Sequence, residues 1–357
     1  MPTGGTDNLE ICMKGMDVSV DKNAWIGRIA GGLAAAAFGL GFLTATSPAS
    51  AQSASTGLDL SIPGGDDDRV LIGGGLPFGL YFPLAGTLCR LMETESVPRS
   101  CAVASLSDSA AAIAALQEGR MPFAIVQSDW LYHAVQGSSR YRDVGPAGEL
   151  RSVAAFYTEA FTVFVKATGP ISRLSDLDGK RASLGAPGSY RGILADAALD
   201  IVGLDRDDLS EASGEPVVSA IDRLCDGQTD AVIVMAVHPA DLLTAAGRRC
   251  GITPLSFSDD EVSDLLGVLQ GYSEVTIPAK TYPGQSVSVR TVGLRPVLTT
   301  TVDADPALVA DLTTALTRGL SRLNASHPAF ATIKVEDLAS ATLFAPLHPA
   351  AAQALGQ

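Results

Sequence analysis

Apolar and polar positions alternate along this chain in two periods. Short runs rich in Val, Ile and Phe fall at 70–72, 101–104, 123–126, 153–165, 181–184, 231–235, 252–257 and 291–301. Their β-branched and aromatic content predicts buried strands. Between them, apolar residues recur at helical spacing. Over 107–118, Ala110, Ile113, Ala114 and Leu116 share a face, with Ser and Asp at the start and Gly119 as a stop. Further helices are predicted over 82–92, over 191–202 before Gly203, over 216–224 with Pro216 in the first turn, and from Asp305-Pro306 to about Asn324. Strand and helix alternating in this way predict an α/β protein with mostly parallel sheets.

The segments 153–165 and 291–301 are long for strands and far apart in sequence. Either each crosses between two lobes, making the second lobe an insertion, or the chain forms a single doubly wound sheet with long loops. Residues 1–51 follow a different pattern. Lys14, Lys22 and Arg28 precede an uncharged stretch over 29–46, and Ala49-Ser50-Ala51 supplies small residues for cleavage. This predicts a signal peptide, with Gln52 as the mature start. The stretch is short and Gly/Ala-rich for a membrane anchor. Residues 52–69, rich in Ser, Gly and Asp, predict a flexible linker.

Beyond residue 51 the chain holds 22 basic and 35 acidic residues, a net charge of −13. Such a surface repels a phosphate backbone and excludes nucleic acid as a partner. Four of the five cysteines lie in this region, and no Cys/His spacing points to a metal. Four cysteines allow three connectivities. In an oxidising compartment, the two close pairs, Cys89 with Cys101 and Cys225 with Cys250, read as disulfides; four unpaired thiols are the alternative.

Nucleophile elbows, zinc-protease motifs and phosphate-binding P-loops are missing from the sequence. Gly73-Gly74-Gly75 follows the first strand without the spacing of a dinucleotide fingerprint, so no cofactor is expected. Three strand-to-helix turns do stand out: 73–81, 105–109 and 185–191. Each would expose N–H groups at a helix N-terminus, where anions bind, and each lies at a carboxyl strand end, where open α/β sheets hold ligands. Arg191 adds a guanidinium that is able to clamp a carboxylate, or else forms a surface salt bridge. After the strand 123–126, Gln127 is the better ligand candidate, with Ser128 and Asp129 placed as helix caps or pocket lining. The histidines are scattered, and His238, His327 and His348 each precede Pro, as in turns.

These residues resemble the TAXI family of periplasmic solute receptors, over nearly all of 70–357. The likeness runs through Ile72-Gly73-Gly74-Gly75 with Gly79-Leu80-Tyr81-Phe82-Pro83, and through Val126-Gln127-Ser128-Asp129-Trp130-Leu131-Tyr132-His133. It continues in Asp176-Leu177-Asp178-Gly179-Lys180-Arg181, Pro187-Gly188-Ser189, Asp230-Ala231 with His238-Pro239, the stretch 276–284, and Ala345-Pro346-Leu347-His348-Pro349. The resemblance implies a two-lobed type II periplasmic-binding-protein fold, with a ligand cleft between lobes and two hinge strands. The lobes would be 70–158 with 295–357, and 159–294. It further implies a small organic anion as solute, a glutamate-like amino acid or another carboxylate, delivered to a TRAP membrane permease. The implied ligand residues are Phe78, Tyr81, Ser107, Gln127, Ser128, Asp129, Gly188, Ser189, Tyr190, Arg191 and His238. Three turns depart from the family pattern at this site: Gly75-Leu76-Pro77-Phe78, Leu106-Ser107-Asp108 and Gly188-Ser189-Tyr190-Arg191. A protein presenting its solute to a sensor, and a periplasmic α/β enzyme, are the alternatives; no nucleophile–base–orienter set supports the enzyme.

Overall fold

A computed structural model describes residues 69–95, 99–339 and 343–357. The predicted signal peptide and residues 52–68 of the linker lie outside them. The described chain builds two mixed sheets. The first begins with β1 (Val70–Gly73), α1 (Tyr81–Glu95), β2 (Cys101–Ala104), α2 (Ser109–Gln117), β3 (Phe123–Gln127), α3 (Ser128–Gln136) and β4 (Leu150–Ala155). The second takes β5 (Glu159–Lys166), β6 (Arg181–Ser183), α4 (Tyr190–Asp200), β7 (Glu211–Ser213), α5 (Val217–Cys225), β8 (Ala231–Ala236) and α6 (Asp241–Cys250). It continues through β9 (Ile252–Pro254), α7 (Asp259–Val268), β10 (Ser273–Ile277) and β11 (Val289–Leu294). The chain then re-enters the first sheet as β12 (Pro296–Thr301) and ends in α8 (Pro306–Arg318), α9 (Leu320–Ser326), α10 (Val335–Leu338) and α11 (Pro349–Leu355).

The first sheet has the order β2-β1-β3-β12-β4, and the second runs β10-β11-β5-β8-β6-β7, with β9 also paired to β5. β1 is parallel to β2 and β3, whereas β12 is antiparallel to both β3 and β4. Each sheet is buried on both faces. Leu88, Phe123, Val309 and Phe330 fill one side of the first, and Ile113, Val126, Leu131 and Val297 the other. The second has corresponding cores around Phe161, Leu194 and Leu265, and around Phe164, Ile221 and Leu243. This is an α/β architecture of two mixed sheets, each with its own cores.

The two long predicted strands are each divided. Segment 153–165 becomes β4 and β5, separated by Phe156, Tyr157 and Thr158; segment 291–301 becomes β11 and β12, separated by Arg295. The two members of each pair lie in different sheets. The predicted helix from 305 to 324 also breaks, at Gly319, where a side chain would overlap Leu91 of α1. Disulfides join Cys89 to Cys101 and Cys225 to Cys250. None of the helices among the described residues is long and apolar enough to cross a membrane.

Candidate functional site

The crossings bring the two sheets together around Ser128. Its hydroxyl donates to Gly271 O at 2.7 Å and accepts from Arg295 N at 3.1 Å, while Ser128 N donates to Arg295 O at 3.0 Å. Ser128 is thus neither a cap nor a lining residue: it is a buried tie between the first sheet, a crossing and the α7–β10 turn. Gly271 has φ +85°, and a Cβ there would overlap the Asp129 backbone. The Arg295 guanidinium donates to Phe156 O of the other crossing, through Nε at 2.9 Å and through a second nitrogen.

Two cavities flank this tie, and Gln127 lines both. One, of about 420 Å³, takes Leu76, Phe78, Tyr81, Ser107 and Gln127 from the first sheet's loops and helices, and Glu159 and Met235 from the second. The other, of about 430 Å³, takes Gln127, Asp129, Trp130 and Arg140 from the first, and Gly188, Tyr190 and Tyr272 from the second. Both are of the size that holds small molecules. Phe78 is 88% exposed at the mouth of the first cavity.

Carboxyl and phenol groups dominate this region. Burial pushes Asp129 up to about 6, against hydrogen bonds that favour its charge; Trp130 N donates to its Oδ1 at 2.8 Å, and Arg140 also lowers it. Burial pushes Glu159 up to about 7, helped by the negative charge of Asp129 and opposed by the Tyr81 hydroxyl. Gln127 and Glu159 stand beside Tyr81 Oη, which is buried and completes no hydrogen bond of good geometry. Tyr190 and Tyr272 join hydroxyls at 2.5 Å. Burial raises all four nearby phenols, Tyr81, Tyr157, Tyr190 and Tyr272, and Glu159 raises each of them further. Two acids and several phenols close together with one neighbouring cation make a site where added negative charge is disfavoured.

Several expected ligand residues are placed elsewhere. Arg191 lines neither cavity. Its guanidinium turns back to Glu215 O at 2.5 Å and Ser183 Oγ at 3.5 Å, and burial lowers its pKa. The reason is local: α4 begins at Tyr190, one residue earlier than predicted, which aims Arg191 at β6 and the β7–α5 loop. Ser189 caps α4, accepting from Gly192 N at 3.1 Å. His238 lines neither cavity either. It packs beside Phe164 and Tyr282, with Nδ1 2.5 Å from Tyr282 Oη, and burial holds it near 4, as a neutral ring. At two of the three helix N-termini expected to hold an anion, a side chain already accepts from the backbone: Asp108 from Ala111 N at 2.9 Å in α2, and Ser189 from Gly192 N in α4. Phe78, Tyr81, Ser107, Gln127, Asp129, Gly188 and Tyr190 do line the cavities.

Sequence reasoning missed Glu159, Tyr272, Trp130 and Arg140 as lining residues. Glu159 had a visible signal: it is the one charged residue within the long apolar run 153–165.

Comparison with known proteins places the pattern of the NMT1-like family on residues 72–356. Among solved structures, the chain is similar to a TctC solute-binding protein from Polaromonas, with 15% identity, 74% of this chain and 86% of that one covered, and a TM-score of 0.48. It is also similar to the periplasmic aliphatic sulphonate-binding protein SsuA from Escherichia coli, with 16% identity, 82% and 79% covered, and a TM-score of 0.44. A third is the probable amino-acid ABC transporter extracellular-binding protein ytmK from Bacillus subtilis, with 11% identity, 74% and 97% covered, and a TM-score of 0.43.

Proposed function

Since the chain belongs to the NMT1-like family, we propose that it is an exported solute-binding protein of the TAXI kind, holding a small polar solute between its lobes for a TRAP-type membrane permease. Cleavage after Ala51 would release it into the periplasm. The observation that carries this reading is the shared walls: each cavity takes side chains from both sheets, and the main chain passes between those sheets at only two short crossings among the described residues. A solute that touches both walls favours the closed arrangement by its extra contacts there, so affinity and closure are linked.

The solute expected from the resemblance is an organic anion. A glutamate-like amino acid remains a good fit, because it carries an ammonium beside its carboxylates. A plain carboxylate fits poorly: Arg191 points away, and Arg140, the one arginine lining either cavity, is exposed.

Small-angle scattering with and without solute tests the proposal. A saturating solute should reduce the radius of gyration, and mass analysis should recover that solute unchanged. Chemical conversion of the solute, or binding with no compaction, would count against it.

A further inference from the structure

Resting on the reading of the cleft as a solute site, we infer that the solute is an amine, with its ammonium received by Glu159 of the second lobe and the Tyr81 hydroxyl of the first, in the cavity that both line, while the Asp129 carboxylate lines the neighbouring one. Four features of the cleft point this way.

First, neither carboxylate has an ion-pair partner among the described residues. Several basic side chains of the second lobe pair instead with other acids, as Arg181 does with Asp230 and Arg223 with Glu211 and Glu215. Asp129 accepts one backbone N–H, from Trp130. Glu159 meets only Tyr81 Oη, which completes no hydrogen bond with it. An ammonium has three N–H donors and no acceptor, so it fits a pocket that offers the Glu159 carboxylate and the unpartnered Tyr81 phenol oxygen.

Second, the charge balance is wrong for an anion. Glu159 and Asp108 line one cavity with no basic side chain beside them, and Asp129, from the neighbouring cavity, makes it harder for Glu159 to ionise. A further negative charge adds to that repulsion; a cation removes it.

Third, the walls suit a cation. Phe78 and Tyr81 line the same cavity as Glu159, Trp130, Tyr190 and Tyr272 the neighbouring one, and aromatic faces attract positive charge. The Trp130 face already holds a cation, with the Arg140 guanidinium 3.9 Å from the ring centroid.

Fourth, the placement couples recognition to closure. Tyr81 begins α1, against the first sheet, and Glu159 begins β5, in the second. An ammonium held by both contacts both lobes at once.

The test compares matched probes on the purified protein by thermal shift and calorimetry: glutamate against glutarate, lysine against caproate, and putrescine. The amine member of at least one pair, or putrescine, should bind, and the acids without an amine should not. Glu159→Gln should weaken amine binding tenfold or more, and Asp129→Asn, in the neighbouring cavity, should weaken it less. Asparagine keeps the oxygen that accepts from Trp130 N, and glutamine removes a like charge, so the melting temperature of each ligand-free variant should match or exceed that of the unaltered protein. Lost binding is then not lost folding. Glutarate or caproate binding as tightly as its amine, with compaction, overturns the amine assignment and leaves the solute-binding proposal standing. If none of the five probes binds, the amine assignment falls, while the solute-binding proposal is decided by the scattering experiment.

Discussion

The turn that opens α4 and the start of β5 each put an ionisable group beside the cleft, with opposite outcomes. Arg191 has its guanidinium occupied by Glu215 O and Ser183 Oγ, inside its own lobe. Glu159 faces a cavity with no counter-ion and is pushed up to about 7. The lesson is that a charge next to a pocket does not define the pocket's electrostatics; what matters is whether the fold has already satisfied it. Arg191 turns its Nη2 to partners within its own lobe, keeps Nη1 buried and lines neither cavity; Glu159 lines a cavity without an ion-pair partner, so the acid is the group free to meet a solute.

The largest expected effect lies at Gly271, which lets the second lobe's backbone approach the start of α3. Gly271→Ala places a side chain at φ +85° and against Asp129. Backbone strain and overlap together should cost roughly 2–5 kcal/mol, read as a lower urea midpoint, with weaker solute binding. An unchanged midpoint would mean that Asp129 is not held by that turn.

Next comes the pH dependence of Glu159. Its folded pKa lies above the ordinary value of 4.5, so between about 4.5 and 7 the folded chain keeps a proton that the unfolded chain has released. Stability therefore falls as pH rises through that window, by roughly 3 kcal/mol in total. Asp129 acts in the same direction between its ordinary 3.8 and about 6. His238 opposes both: it is held near 4 against an ordinary 6.5, so it adds stability as pH rises through that range. The clean readout is the difference between the unaltered protein and Glu159→Gln, each without solute. That difference should move in the variant's favour from pH 5 to pH 8. A flat difference would place Glu159 in water.

Arg191→Ala should be milder, removing a guanidinium hydrogen-bonded to a backbone carbonyl. Unfolding should show a loss of about 1–2 kcal/mol, with solute affinity unchanged. A large fall in affinity with the fold intact would reverse the comparison between the two regions. Smallest of all is Phe78→Ser. A side chain this exposed should contribute within about 0.5 kcal/mol to stability, and it should alter the rate of solute entry more than the affinity.

Much of the architecture was legible because strands carry their signal locally. The runs near 70, 101, 123, 181 and 231 all form strands, and the close cysteine pairs are bonded. What the local pattern missed depends on distant partners. Residues 153–165 read as one extended segment that crosses between lobes or else lies in a single sheet, since nothing local decides between the two; the sheet changes at Phe156–Thr158. The helix after Asp305 breaks at Gly319 because Leu91, more than two hundred residues earlier, packs there. The site was read in the same partial way. Tyr81, Gln127 and Asp129 lie at strand ends or helix starts, which pattern reading locates. Glu159 was passed over as part of an apolar run, and Arg191 was assigned to a solute because its partner, the Glu215 carbonyl, lies 24 residues on.

Proton counting tests the central claim most directly. Amine binding at pH 6.5 is measured by calorimetry in buffers of different ionisation enthalpy. Without solute, Glu159 is largely protonated at that pH, and an ammonium beside it favours the charged form. The account predicts net proton release on binding, lost in Glu159→Gln. Net proton uptake, as expected when an anion settles beside these carboxyls, would contradict it.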